Sequence, residues 1–160
     1  MIDLSRYQDP LTIQRVIHHA KTIAIVGLSK NELRASHFVG YYLRRHGFNV
    51  IPVNPREAEI LGEKSYASLL DLPVHVDIVD VFRAPDALPG IAAEAVQIRA
   101  GALWCQFGVI NEEGARVAEA GNVPVIMDRC LKVEHARYVG RMHWLGFNTH
   151  RITSVRGGLQ

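Results

Sequence analysis

Residues 22–53 read TIAIVGLSKNELRASHFVGYYLRRHGFNVIPV. Two short apolar runs, Thr22–Gly27 and Asn49–Val53, stand at its ends, and such runs suit strands covered on both faces. Between them, from about Ser36 to His46, Val39, Tyr42, Leu43 and His46 recur on one helical face. Gly47 fits the left-handed residue that follows a helix, and Arg44, Arg45 and His46 place cations in the last turn, where the helix dipole favours them. A strand, a helix and a second strand without a tight turn make a parallel crossover unit.

The same alternation continues along the chain. Val76–Phe82 (VDIVDVF), Ala102–Phe107 (ALWCQF) and Val123–Asp128 (VPVIMD) are three further strand candidates. Asp9-Pro10 opens a helix carrying Ile13, Val16 and Ile17. Pro85-Asp86 opens another, with Leu88, Ile91, Ala92, Ala95 and Ile98 on one stripe before Gly101. Asn111 caps a helix with Glu112 and Glu113 in its first turn and Gly121 closing it. A short piece at Ser65–Leu72 and a last helix at Leu131–Tyr138 complete the set. The pattern predicts an α/β protein with an open, parallel five-stranded sheet, order 3-2-1-4-5, helices on both faces, and a ligand crevice at the carboxyl ends of the strands.

The composition, 48% apolar and 21% charged over 160 residues, excludes disordered and collagen-like classes and suits one sizeable core. No apolar run approaches the roughly 18 residues of a membrane span. The opening MIDLSRYQDP lacks the basic flank and apolar stretch of a secretory signal. Cys105 and Cys130 are too few for a disulfide framework. A cytoplasmic protein that engages neither membrane nor nucleic acid is expected, since the body holds no run of lysines and arginines. Residues 1–138 read as the folded domain. Residues 139–160 read as a basic tail with Arg141, Arg151 and Arg156 and no acid. Its Trp144 and Phe147 are expected to dock on the body or on a second subunit, which would make a homodimer.

In this sheet class the loop after the first strand is the natural anion site. Here it runs from Gly27 to His37. It has neither the P-loop spacing nor the full dinucleotide fingerprint, because Ser29 stands where a second glycine belongs. Gly27 permits a tight turn, Ser29 offers a hydroxyl, Ser36 suits a helix cap facing a phosphate, and Lys30 and Arg34 add charge. The loop reads equally as an ordinary connection with surface charges. At the end of the second strand, Asn54-Pro55-Arg56 replaces the carboxylate expected for NAD. An arginine there suits a phosphorylated ribose, as in NADP or coenzyme A. The other reading is a plain turn with Arg56 in solvent.

Taken in order, GLSKNELRASHFVGYYLRRHGFNVIPVNP, VDIVDVFR, ALWCQFGVINEEG and MDRCLKVEH resemble the small stand-alone CoA-binding proteins of bacteria and archaea. Those proteins are themselves similar to the N-terminal domain of the succinyl-CoA synthetase alpha subunit. The resemblance spans about residues 9–138. It implies a Rossmann-like domain that binds coenzyme A or an acyl-CoA. By similarity, Gly27, Leu28, Ser29 and Lys30 hold the pyrophosphate, with Arg34 and Ser36 nearby. Val53, Asn54, Pro55 and Arg56 match the adenosine and 3′-phosphate segment. Val81, Phe82 and Arg83 flank adenine and the start of pantetheine, and Gln106, Gly108 and Val109 lie beside the pantetheine arm. Arg34, Arg56 and Arg83 are all candidates for the 3′-phosphate. The synthetase reaction needs a phosphorylated histidine in a second domain, so it is not carried over. The expected role is a carrier, sensor or regulatory module without chemistry of its own, with no catalytic residue.

Two enzymatic readings stand beside it. Cys130, at a helix start beside Arg129, Lys132 and His135, suggests an activated thiol, in an enzyme acting on CoA thioesters or in a thiol-redox protein. Cys130 and His135 are five residues apart, however, which turns them away from each other on a helix, and a simple helix-start motif accounts for the same residues. The second is an NADP-linked oxidoreductase, to which Arg56 is suited and the altered glycine loop is not. Cys130, His135, His143 and His150 show no accepted zinc spacing, and Cys105 reads as core.

Overall fold

Seven runs become strands in the computed structural model, which describes residues 2–144, the last five by backbone alone. They are Thr22–Val26 (β1), Asn49–Val53 (β2), Glu59–Ile60 (β3), Glu63–Lys64 (β4), Ile78–Val81 (β5), Leu103–Cys105 (β6) and Val125–Met127 (β7). One five-stranded sheet has the order β2-β1-β5-β6-β7, all neighbours parallel. β3 and β4 form a separate two-stranded hairpin. The helices are Pro10–His19 (α1), Ala35–Arg45 (α2), Leu88–Gln97 (α3), Glu112–Ala120 (α4) and Leu131–Trp144 (α5).

The strand order departs from the expected 3-2-1-4-5. Counted in chain order, the five sheet strands run 2-1-3-4-5, because β5 pairs with β1 and not outside β2. The outer edge of β2 cannot take a full strand. Pro52 has no N–H to offer, and its carbonyl already accepts from Tyr66 N–H at 3.0 Å. A proline inside a sheet marks an edge. The correction leaves the crevice in place, since either order reverses direction beside β1, where ligands bind in such sheets.

Alternating side chains divide the sheet into two cores. Ile23, Ile25, Ile78, Trp104 and Ile126 pack under Ile13 and Ile17 of α1, Val39 and Leu43 of α2, and Leu131 of α5. Ala24, Val26, Val79, Val81 and Cys105 pack under Leu88, Ile91, Ala92 and Ala95 of α3 and under Ala115 and Ala118 of α4. α3 and α4 touch closely because Gly114 has no side chain; a Cβ there would lie 2.6 Å from Leu88.

The helix ends follow local chemistry. Asp9 caps α1 by accepting from Thr12 N–H, and Asn111 caps α4 by accepting from Gly114 N–H. Pro85–Ala87 forms a 3-10 turn that leads into α3. The piece expected at Ser65–Leu72 shrinks to a 3-10 turn, Leu69–Asp71, capped by Ser68 and stopped before Pro73. α5 continues to Trp144, past the expected end at Tyr138, because Gly140 weakens a helix by only about 1 kcal/mol and does not stop it. The docking expected of Trp144 and Phe147 lies outside the described side chains. No helix among the described residues is long and apolar enough to cross a membrane.

Candidate functional site

Three strand ends meet around Gly27. Its N–H donates to Val53 O at 2.9 Å, tying the end of β1 to that of β2. Its φ is +90°, and a Cβ would stand 2.3 Å from Phe82 O, just past β5. Glycine is therefore required here both by conformation and by the close approach of a neighbouring strand.

The loop after Gly27 is folded by its own polar groups. Ser29 N–H donates to Ser36 Oγ at 2.9 Å, Asn31 N–H donates to Ser29 Oγ at 3.0 Å, and His37 Nδ1 donates to Ser29 O at 3.0 Å. Ser36 does not cap α2: the helix begins one residue earlier at Ala35, Arg34 is its N-cap, and no side chain caps it. The Ser36 hydroxyl turns back onto the loop instead. Asn54 is a brace between loop and strand, donating through Nδ2 to Leu28 O at 3.0 Å and accepting Arg56 N–H at 2.9 Å.

This scaffold encloses a cleft of about 570 Å³ lined by Gly27, Ser29, Arg34, Ala35, Ser36, Val53, Asn54, Pro55, Arg56, Phe82 and Arg83. It opens at the carboxyl ends of β1, β2 and β5 and against the N-terminus of α2. The N–H groups of Ala35 and Ser36 find no acceptor among the described residues, and they carry the positive end of the α2 dipole. Among the described residues no carboxylate lines the cleft. Arg34, Arg56 and Arg83 form no ion pair among the described residues, although six other basic groups do. Three unpaired guanidiniums and a free helix terminus make a site for several negative charges.

The other residues singled out in the sequence do not line this cleft. Leu28 is fully buried in the core beneath α2, and Val81 and Val109 are buried in the core beneath α3 and α4. Lys30 is exposed and leans toward Glu57 at 3.9 Å. Gly108 N–H donates to Asp128 Oδ1 at 2.9 Å, which ties the ends of β6 and β7 together. Gln106 is buried and hydrogen-bonded to Asp80 at 2.6 Å. Sequence reasoning missed Ala35, which acts through its N–H and not its side chain. It also missed Asp80, a fully buried carboxyl pushed up to about 7 by burial, against the opposing pull of its Gln106 hydrogen bond.

The Cys130 region is arranged differently. Cys130 is half-buried against the core beneath α1, α2 and α5. His135 Nδ1 and the Tyr42 hydroxyl share a hydrogen bond of 2.8 Å. Burial, and then nearby His46, hold His135 down at about 4. At neutral pH it is an uncharged partner of Tyr42, not a cation beside the thiol. Among the described residues no cluster of three histidines, cysteines or acids could hold a metal ion.

A family model described as a CoA binding domain matches residues 21–136. The Bacillus subtilis protein YneT is 41% identical over 124 residues, which cover 78% of this chain and 92% of that one. The ADP-forming acetate–CoA ligase II of Archaeoglobus fulgidus is 32% identical over 109 residues, 66% of this chain but 16% of the ligase. A Thermus thermophilus protein of known structure superposes with a TM-score of 0.77 at 42% identity, over 82% of this chain and 99% of that one.

Proposed function

The chain belongs to the CoA-binding domain family, and from that premise we propose that its cleft binds coenzyme A or an acyl-CoA, as a carrier, sensor or regulatory module. The observation that carries this reading is the convergence of Arg34, Arg56 and Arg83 on a cleft where, among the described residues, they pair with no acid and no carboxylate lines the wall. Coenzyme A carries a pyrophosphate and a 3′-phosphate, and each needs donors that are not already spent. The free N–H groups of Ala35 and Ser36, with Arg34 beside them, suit the pyrophosphate. Arg56 and Arg83 are left for the ribose phosphate, and Pro55 offers adenine a flat apolar face. Phe82, at the opposite wall, leads toward β6 and gives the pantetheine arm a way out.

Calorimetric titration with coenzyme A, acetyl-CoA, dephospho-CoA and NADPH tests the proposal. Coenzyme A should bind at one site and lose at least about tenfold on removal of the 3′-phosphate, the worth of one charged hydrogen bond. In thermal unfolding, ligand at 100 times its Kd should add about 2.7 kcal/mol. Tighter binding of NADPH than of coenzyme A, or no binding at millimolar coenzyme A, would overturn the reading.

A further inference from the structure

Asp80 and Gln106 stand out because a carboxyl group has been placed in an apolar layer. Asp80 lies in register between Ile25 of β1 and Trp104 of β6 and is fully buried. Asp80 Oδ2 is the one buried side-chain oxygen or nitrogen without a partner among the described residues. Among the described residues, burial and then the Gln106 hydrogen bond are what act on Asp80. The Cys105 thiol on β6, pushed far up by burial and then by Asp80, is the titratable group coupled to it. An unpaired carboxylate in such surroundings is costly, and burial favours the protonated, neutral form.

The geometry of the pair agrees with a neutral acid. The Asp80–Gln106 separation is 2.6 Å. An amide N–H to oxygen contact falls at about 2.7–3.2 Å, whereas O–H to oxygen contacts reach about 2.5 Å. The two ends of an amide have nearly the same shape, so Gln106 fits equally well turned over. In that arrangement the acid donates its proton to Oε1.

The end of the Gln106 amide that faces away from Asp80 makes no hydrogen bond among the described residues, and Gln106 as a whole is buried. Register places it: Val81 pairs with Cys105, so Gln106 stands one strand away from Phe82, which lines the cleft. Its side chain shares the sheet face of Trp104, the face that α2 covers. Resting on the coenzyme A reading, we infer that Asp80 is a positioning residue: as the neutral acid it donates to Gln106 Oε1 and so turns the Gln106 NH2 group outward as a donor to a carbonyl of the acylated pantetheine arm. When Asp80 ionises it becomes an acceptor and claims that NH2 group. Gln106 then shows its oxygen to the ligand, and two acceptors face each other. The pair thereby makes affinity for an acyl-CoA depend on one buried proton.

The test has two readouts. The first is the pH titration of the Asp80 side-chain carbon by NMR in the free protein, which should show a neutral acid at pH 6 and ionisation near pH 7. The second is acetyl-CoA affinity from pH 6 to 9 for the wild type, Asp80→Asn and Gln106→Leu. Titration of the ligand's own phosphate cancels when each variant is divided by the wild type. The wild type should weaken about five- to tenfold relative to Asp80→Asn as pH rises, because asparagine donates to Oε1 at every pH. Gln106→Leu should bind weakly throughout, without that added slope. A merely structural Asp80 would change stability and leave the affinity ratio flat. An Asp80 already ionised at pH 6, or parallel profiles in wild type and Asp80→Asn, would overturn the inference alone. Failure of the wild type to bind any coenzyme A would overturn the function proposed above and this inference with it.

Discussion

Replacing Asp80 with asparagine should turn a level stability profile into a tilted one. Asp80 is held at about 7 in the folded chain against an ordinary value of 3.8. Between those values the unfolded chain gives up a proton that the folded chain keeps. The stability contributed by the neutral acid is therefore complete below about pH 4 and is lost as pH rises toward 7, tenfold in the folding constant per pH unit. His135 acts in the opposite sense. It is held at about 4 against 6.5, so its contribution is complete above 6.5 and is lost, again tenfold per unit, as pH falls toward 4. From about pH 4 to 6.5 the two slopes cancel in the wild type. Asp80→Asn removes the first and leaves the second, so its stability should climb with pH. The ratio of folding constants, variant to wild type, should grow by roughly a thousandfold between pH 4 and 7. Urea unfolding of both proteins at pH 4.5, 5.5, 6.5 and 7.5 measures it, and the His135→Gln variant should tilt the other way. Parallel profiles for the wild type and Asp80→Asn would refute the reasoning, because they would mean that Asp80 carries no extra proton in the folded state.

Other expectations follow from the loop and the cleft. Gly27→Ala puts a Cβ 2.3 Å from Phe82 O at φ +90°; it should cost at least about 2 kcal/mol in urea unfolding and weaken coenzyme A as the strand ends part. Asn54→Ala frees Leu28 O and Arg56 N–H; it should cost about 1–2 kcal/mol and reduce coenzyme A affinity several-fold by calorimetry, although no charge changes. Arg34→Ala should lower coenzyme A affinity about ten- to a hundredfold and flatten its dependence on salt, with an unchanged unfolding midpoint in the absence of ligand.

Much of the fold was legible because burial on both faces writes a strand as a short apolar run. All five sheet strands lie within such runs. The caps at Asp9 and Asn111 and the left-handed Gly47 were legible for a different reason: a short side chain or a missing Cβ does one local job. Strand order was misread although Pro52 carried the signal, since a residue without an N–H belongs at an edge. The β3–β4 hairpin has two-residue strands, too short for any periodicity to show. At the site, side chains that reach the cleft, such as Arg34, Arg56 and Arg83, announce themselves by charge. Ser29 and Asn54 were singled out as polar groups at the right place, but most of their hydrogen-bonding capacity holds the loop in shape. Ala35 contributes an N–H that any residue but proline would supply, so its identity carries no signal. Asp80 reads like any polar residue in a strand run; only the packing of a helix layer over it reveals that it is dry.

On this reading a polyphosphorylated ligand sits at the junction of β1, β2, β5 and α2. A crystal structure with coenzyme A tests it most directly. Pyrophosphate density should lie within hydrogen-bond reach of the Ala35 and Ser36 N–H groups, with guanidinium contacts from the Arg34 side of the cleft and the 3′-phosphate at Arg56 or Arg83. Density on another face of the sheet, or phosphates away from the start of α2, would contradict it.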